Sequence, residues 1–245
     1  SFIELLNAIR HDQLTDEHLT RLNGRCRADF FPQEDDFYVY LTTTNAIADR
    51  INEHQLKRLE GEPFCFQGRV EGKFEDRNLP TKEFLELKHG AQVMLLNNDP
   101  SGQWVNGSIG RVVSVAEDLS ATDIIEIELE DGRVVEVGPF TWEMFRFRYN
   151  EEIKRLESEP VGSFVQYPLR LAWAVTIHKS QGKTFSKVIL DIGQGAFAHG
   201  QTYVALSRCT SLEGIVLKKP IQRRDIIVDP RVIGFIESLE HKLAK

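Results

Sequence analysis

One kind of pattern opens and closes this chain, and a different kind fills its middle. Residues 36–43, DFYVYLTT, form a run rich in Tyr, Phe and Val that predicts a buried strand. A helical pattern follows at once, with Thr44 or Asn45 able to cap its first turn and Gly61 placed to end it. A strand joined by a short turn to a helix is typical of α/β proteins.

The middle of the chain has the pattern of β structure. Strand-like runs recur at 92–99, 110–118, 124–137 and 144–150. Asp131-Gly132 lies between two alternating segments, which is a strong hairpin signal. We therefore predict a small β-rich module over residues 64–166.

The α/β pattern resumes after this module. We predict a helix over residues 168–181, with Pro168 near its start and Gly182 just past its end. A strand at 186–192, a helix at 200–212, a strand at 213–219 and a final helix from 231 follow. The β module is thus expected to be inserted into an α/β domain or appended to it.

The first residues already lie in a helical pattern, with Thr15 placed to cap a second helix. This abrupt start suggests a piece of a longer protein, and the alternative is a processed or tag-cleaved start. The formal net charge of −7 argues against a protein wrapped in nucleic acid. It leaves room for one basic groove, because local charge steers phosphate binding.

The three cysteines are far apart in the sequence, so no disulfide framework and no metal site is predicted. A reducing, intracellular compartment is expected. No apolar run reaches the length of a membrane-spanning helix, and we expect no membrane partner.

The tripeptide Gly182-Lys183-Thr184 matches the end of a phosphate-binding P-loop, G-x-x-x-x-G-K-[ST]. That loop needs a strand before it and a helix after it, and it needs a glycine where this chain has Ile177. A helix is predicted before Gly182 and a strand after Thr184. The tripeptide is therefore not a P-loop, and no other segment of the chain matches the motif.

Residues 193–198, GQGAFA, fit the dinucleotide-binding pattern G-x-G-x-x-A after a predicted strand. That fold needs the helix to open inside the motif and an acidic residue at the end of the next strand. Here the helix is expected to begin near Gln201, and Glu213 stands at the beginning of the next strand instead of at its end. We therefore favour a glycine-rich turn that joins a strand to a helix.

Two polar features remain, and each taken alone is most often structural. One is a cluster at the end of the helix predicted before Gly182, formed by Thr176, His178, Lys179, Ser180 and Gln181. The other is Ser207-Arg208 at the end of a helix, where arginine complements the helix dipole. Together the two features carry donors for binding an anion, with Arg208 suited to a transferred phosphoryl group.

These stretches resemble the superfamily 1 helicases that move 5′ to 3′, the RecD and Pif type. LAWAVTIHKSQGKTF (171–185) is similar to their motif V and QTYVALSRCTSLEGIVL (201–217) to their motif VI. LTTTNAIADRIN (41–52) resembles their motif IV region. Residues 90–115, which begin GAQVMLLNND, resemble the segment that leads into a small SH3-like module. The resemblance extends from about residue 36 to 220, in the family's order.

The resemblance implies a RecA-like second motor domain of the P-loop NTPase type at 36–63 and 167–245. An SH3-like β-barrel module is implied at 64–166, and residues 1–35 would be the tail of a preceding RecA-like domain. That missing domain would carry the P-loop and the Mg²⁺ ligands, so this chain alone is expected not to hydrolyse ATP. The full-length protein would be an ATP-dependent DNA helicase that uses ATP and Mg²⁺ and acts on single-stranded DNA.

Residue roles follow from the same resemblance. Arg208 would be the arginine finger that stabilises charge on the γ-phosphate. Gln181, Gly182 and Lys183 would lie near the nucleotide, with Gln181 linking it to DNA. The residues implied to contact DNA are Thr44, Asn45, Thr176, His178, Lys179 and Ser180.

Several alternatives stay open. Thr44 and Asn45 can act simply as helix caps, which is the default role of those residues. RFRY (146–149) is either a platform for stacking single-stranded bases or a strand with one buried face. The whole chain is alternatively a nucleic-acid-binding module without motor function or, with less support, a dinucleotide-binding enzyme domain that uses GQGAFA.

Overall fold

A computed structural model describes residues 1–33, 36–74, 79–116, 124–151, 154–193, 195 and 198–243. The helices are α1 (Phe2–Arg10), α2 (Asp16–Asn23), α3 (Asn45–Arg58), α4 (Gln201–Leu206) and α5 (Pro230–Leu243). The strands are β1 (Val39–Thr42), β2 (Phe64–Gln67), β3 (Arg69–Gly72), β4 (Phe84–Leu87), β5 (Gln92–Leu95), β6 (Ile109–Ala116), β7 (Ile124–Leu129), β8 (Val134–Val137), β9 (Phe140–Asn150), β10 (Arg155–Gln166), β11 (Leu169–Leu171), β12 (Ala174–Thr176), β13 (Val188–Asp191) and β14 (Ile215–Leu217).

The chain divides into two compact units. The first comprises residues 1–54 and 173–245, and the second comprises residues 55–172. The resemblance implies that residues 1–35 are the tail of a preceding domain. The described part of that segment, residues 1–33, lies in the first unit, and the assignment remains a prediction.

A four-stranded parallel sheet forms the centre of the first unit, in the order β12-β1-β13-β14. Its strands are short and almost wholly apolar, because a parallel sheet is covered on both faces. Leu41, Ile189 and Ile215 are fully buried within it. This sheet and its helices confirm the predicted α/β class with a parallel sheet.

The N-terminal helices form where the sequence predicts them. Ser1 and Glu4 make a capping box at the start of α1, and Thr15 caps α2. The segment after α2 then runs beside β14: Leu217 donates its N–H to the carbonyl of Arg25 over 3.1 Å and accepts from the N–H of Arg27 over 2.9 Å. Residues 25–27 therefore occupy the outer edge of the parallel sheet.

The second unit is built from antiparallel sheets. Its strands form a five-stranded sheet, β11-β5-β6-β7-β8, a three-stranded sheet, β3-β10-β9, and a pair, β2-β4. The hairpin predicted at Asp131-Gly132 is confirmed between β7 and β8, where Gly132 has a φ of 83°. The N–H of Gly132 donates to the carbonyl of Leu129 over 2.9 Å and closes that turn. The strand-rich character of this region agrees with the sequence pattern, and its SH3-like nature remains a prediction.

The helix predicted over residues 168–181 is wrong. The segment instead forms β11, which pairs with β5, and β12, which pairs with β1. A short apolar run fits a buried strand and a buried helix equally well by periodicity, and here two partner strands distant in sequence decide the outcome.

No helix within the described ranges is long and apolar enough to cross a lipid bilayer.

Candidate nucleotide and nucleic-acid site

Three strands of the parallel sheet end side by side. Thr42 at the end of β1 is in register with Thr176 at the end of β12 and with Asp191 at the end of β13. In open α/β sheets, ligands bind at the carboxyl ends of the strands. The residues that follow β1 and β12 therefore belong to the edge of the sheet where a ligand site is expected.

Thr44 and Asn45 lie at this edge, where α3 begins. The Thr44 side-chain oxygen accepts a hydrogen bond from the N–H of Ile47 over 3.4 Å, so Thr44 caps the helix. The Thr42 hydroxyl donates to the carbonyl of Thr44 over 3.1 Å and fixes the connection from β1. Both predicted residues are exposed, so the cap remains accessible, and their contact with DNA stays a prediction.

The polar cluster of residues 176–181 does not end a helix, which corrects the expectation from the sequence. It begins at the last residue of β12 and continues through a run of tight turns. The N–H of Ser180 donates to the carbonyl of Thr176 over 3.0 Å, and the N–H of Lys183 donates to the carbonyl of Ser180 over 3.0 Å. Gly182 takes a φ of 74°, which favours glycine at the point where the chain turns back. We call residues 176–183 the motif V turn.

Two polar residues of the motif V turn are buried. Ser180 is 0% exposed, and its hydroxyl donates to the carbonyl of Ile177 over 2.7 Å. Thr176 is 5% exposed, and its side-chain oxygen accepts from the N–H of Lys179 over 3.2 Å. These bonds give both side chains a role in holding the turn, while their predicted contact with DNA stays untested.

The outward face of the turn carries the other predicted residues. His178, Lys179, Gln181 and Gly182 are exposed, and Lys183 is partly exposed. The N–H of Gly182 has no acceptor among the described residues. An N–H without an acceptor, at an exposed glycine of positive φ, is a donor of the kind that binds phosphate oxygens.

Asn52 is a residue of this site that the sequence reading missed. It lies on α3 and is nearly buried, and its side-chain amide donates to the carbonyl of Ala174 over 2.8 Å. Its side-chain oxygen accepts from the N–H of Ala174 over 2.9 Å. Asn52 thus occupies the outer edge of β12 just before the motif V turn. A polar residue in a helical pattern gives no sign of such a partner in the sequence.

Arg208 follows α4, with Ser207 as the C-terminal cap of that helix. Its Nε donates to the carbonyl of Val204 over 3.0 Å, and one Nη donates to the carbonyl of Lys183 over 3.0 Å. The other Nη donates to the Ser207 hydroxyl oxygen over 2.9 Å. The structure therefore brings Arg208 and Lys183, two residues predicted near the nucleotide, into direct contact.

The side chain of Arg208 retains donors for an anion. Guanidinium has five N–H groups, and the three bonds within the described residues use one on each nitrogen. One N–H on each Nη is left over, and the side chain is partly exposed. With the N–H of Gly182, this donor set fits phosphate oxygens.

The P-loop match stays rejected, and the dinucleotide-binding alternative loses support. A strand, not a helix, precedes Gly182, but Ile177 still occupies the place of the first P-loop glycine and no helix follows Thr184. In GQGAFA, residues 194, 196 and 197 lie outside the described residues. The next helix begins only at Gln201, and Glu213 precedes β14, so the dinucleotide pattern is not completed.

RFRY lies on a two-stranded ribbon formed by β9 and β10. Phe145, Phe147 and Tyr149 are 44%, 64% and 62% exposed. On the opposite face, Arg146 lies 3.8 Å from Glu159 across the strands, and both are exposed. The alternative of a strand with one buried face is therefore wrong for residues 145–149, and base stacking remains a prediction.

The chain resembles known helicases over nearly its whole length. No family model matches the sequence. The ATP-dependent DNA helicase Pif1 of Bdellovibrio bacteriovorus is 33% identical over 246 residues, which cover 98% of this chain and 51% of that protein. The unliganded structure of Pif1 from a Bacteroides species matches with a TM-score of 0.87 and 34% identity, and covers 98% of this chain and 54% of that one.

A second solved structure is the Bacteroides Pif1 helicase in complex with ADP-AlF3 and single-stranded DNA. It matches with a TM-score of 0.72 and 33% identity, and covers 98% of this chain and 54% of that one. The chain thus spans about half the length of these three relatives.

Proposed function

The chain belongs with the Pif1-type DNA helicases of superfamily 1B, and we propose that it is the C-terminal motor half of an ATP-dependent DNA helicase. The observation that carries the proposal is the contact of Arg208 with the motif V turn at the carboxyl edge of the parallel sheet. There the residues predicted to bind the nucleotide and those predicted to bind DNA lie in one short segment.

The proposal includes the domain organisation. Residues 36–63 and 167–245 form the second RecA-like motor domain, residues 64–166 an SH3-like module, and residues 1–35 the tail of the preceding RecA-like domain. The parallel sheet in the first unit and the antiparallel sheets in the second support this division. The P-loop and the Mg²⁺ ligands are assigned to the rest of the protein, so this chain alone does not hydrolyse ATP.

The residues of this chain form one wall of the nucleotide site. ATP, when bound, supplies the phosphoryl group whose transfer to water drives the cycle. Arg208 directs its two remaining N–H groups at charge that develops on the γ-phosphate. Gly182 offers its backbone N–H to phosphate oxygens, and the Lys183 side chain adds a positive charge beside them.

Single-stranded DNA is the proposed second ligand. Its phosphates are bound at two places. One is the motif V turn, where His178 and Lys179 are exposed and basic side chains suit phosphate. The other is the start of α3, where Thr44 and Asn45 are exposed and donors at a helix N-terminus suit the same group. The relative solved with ADP-AlF3 and single-stranded DNA supports this pairing of ligands. The turn joins the two sites, so a shift of the turn on nucleotide binding changes the grip on DNA.

The experiment is ATP hydrolysis stimulated by single-stranded DNA, measured on the full-length protein. We expect Arg208→Ala to lower the stimulated turnover by about 10³-fold or more, with affinity for single-stranded DNA retained. Arg224→Ala is the matched control, because Arg224 is an exposed arginine outside the site.

Two results would contradict the proposal. Normal turnover of the Arg208→Ala variant would remove the finger role. Absence of any stimulated turnover in the wild type would remove the motor role and favour a non-motor nucleic-acid-binding module.

A further inference from the structure

We propose that Ser207 is a positioning residue that orients the Arg208 guanidinium for catalysis. This inference rests on the proposed function, since it explains how the finger is held at its site. The sequence pattern names Ser207 only beside Arg208 in a group of anion donors, and the inference gives its side chain a separate role.

The hydroxyl of Ser207 has a defined orientation. It carries one hydrogen, which it donates to the carbonyl of Val204 over 3.0 Å. Its lone pairs are then the groups that face Arg208, and they accept from one Nη over 2.9 Å. The serine is therefore fixed as an acceptor and cannot turn its hydrogen toward the guanidinium.

Three acceptors together fix the guanidinium. Val204 accepts from Nε, Ser207 from one Nη and Lys183 from the other, each within 3.0 Å. A planar group bonded at all three of its nitrogens cannot rotate without breaking a bond. The two remaining N–H groups thus keep a set direction before any phosphate arrives, which is the preorganisation that electrostatic catalysis requires.

The three acceptors differ in what can replace them. Val204 and Lys183 contribute backbone carbonyls, which no side-chain substitution removes. Ser207 contributes the only side chain among the three bonds that the structure gives Arg208. Substitution at Ser207 is therefore the direct way to loosen the finger while leaving Arg208 itself in place.

A purely structural role competes with this one. The carbonyl of Val204 lies in the last turn of α4, where carbonyls have no partner within the helix. Ser207 and Arg208 both donate to it, so the carbonyl keeps the bond from Arg208 Nε when the Ser207 hydroxyl is removed. A capping role predicts lost thermal stability, and it predicts that the effect of Ser207→Ala persists when Arg208 is absent.

The test is a double-mutant cycle on the full-length protein. Ser207→Ala is made in the wild type and in the Arg208→Ala variant, and steady-state ATP hydrolysis with single-stranded DNA is measured over a range of ATP concentrations, alongside the melting temperature. In the wild type we expect turnover to fall about ten- to hundredfold, with the KM for ATP and the melting temperature unchanged. In the Arg208→Ala variant we expect no further loss, because Ser207 acts through Arg208.

Ser207→Thr keeps the hydroxyl and is the conservative control, which we expect to restore most of the turnover. Three results overturn the inference: unchanged turnover in Ser207→Ala, an equal loss with and without Arg208, or a loss matched by a fall in melting temperature. If Arg208→Ala itself leaves turnover intact, the proposed function fails instead, and the two failures are therefore distinguishable.

Discussion

The motif V turn is predicted to contact DNA, and the β9–β10 ribbon carries the alternative of a base-stacking platform, yet the two are built in opposite ways. The turn is held from beneath by the buried Ser180 and Thr176, and Asn52 secures the strand before it. From Arg155 to Pro160, strand β10 pairs with β9 and no longer with β3, so the ribbon has two strands there. The aromatic side chains of β9 in this part are exposed. A group that must meet a phosphate at a set distance needs the first design, whereas contacts that tolerate variable geometry can use the second.

Among the substitutions that compare the two regions, the largest change in the free energy of unfolding is expected at Asn52. Asn52→Leu leaves the N–H and the carbonyl of Ala174 without the partners that the amide provides. Two buried backbone groups without partners cost about 2–4 kcal/mol, which we expect to see as a lower free energy of unfolding in urea. Glu53→Leu, at the adjacent exposed position of α3, is the control and should change it little. Equal behaviour of the two variants would show that α3 does not secure β12.

A smaller effect is expected at Ser180. Ser180→Ala removes the hydroxyl that satisfies the carbonyl of Ile177 and should lower the free energy of unfolding by about 1–2 kcal/mol. Ser186→Ala makes the same change at an exposed serine and should have almost no effect on unfolding. If both variants unfold like the wild type, the turn does not depend on its buried hydroxyl, and the contrast with the ribbon weakens.

The smallest effect is expected on the ribbon. Phe147→Ser replaces an exposed ring and should change the free energy of unfolding by no more than about 0.5 kcal/mol. Phe164→Ser on the same hairpin is the matched control, because that ring is fully buried and its loss should cost several times more. A large effect at Phe147 would mean that the ribbon face is covered by another part of the protein. Calorimetric melting of both variants measures the difference.

The parts of the fold that could be predicted are those decided by neighbouring residues. The strand, cap and helix of residues 39–58 depend on a local apolar run followed by Thr44, and the β7–β8 hairpin depends on Asp131-Gly132. The helix predicted over residues 200–212 is confirmed only in its first part, because α4 ends at Leu206, and Arg208 lies just past its end.

The parts that could not be predicted depend on distant partners. Residues 169–176 become two strands because β5 and β1 are available to pair with them, and periodicity within the segment does not reveal that. Asn52 finds its partner 122 residues away. The helix predicted before Gly182 was one reason to exclude a P-loop, and it was wrong. The exclusion still holds, because Ile177 stands where glycine is needed and no helix directly follows Thr184.

Both edge strands of the parallel sheet are covered by other residues, and this limits where the chain can be shortened. Residues 25–27 block the β14 edge, and Asn52 blocks the β12 edge at Ala174. An open strand edge can pair with a strand of a second chain. Covering both edges therefore disfavours edge-to-edge association of two copies of the protein. Trimming the chain at residue 35, where the sequence suggests a domain boundary, would uncover one of these edges. The shortened protein would then expose unpaired backbone groups along Ile215–Leu217, so the solubility of this unit depends on a segment that a cut at the sequence-based boundary removes.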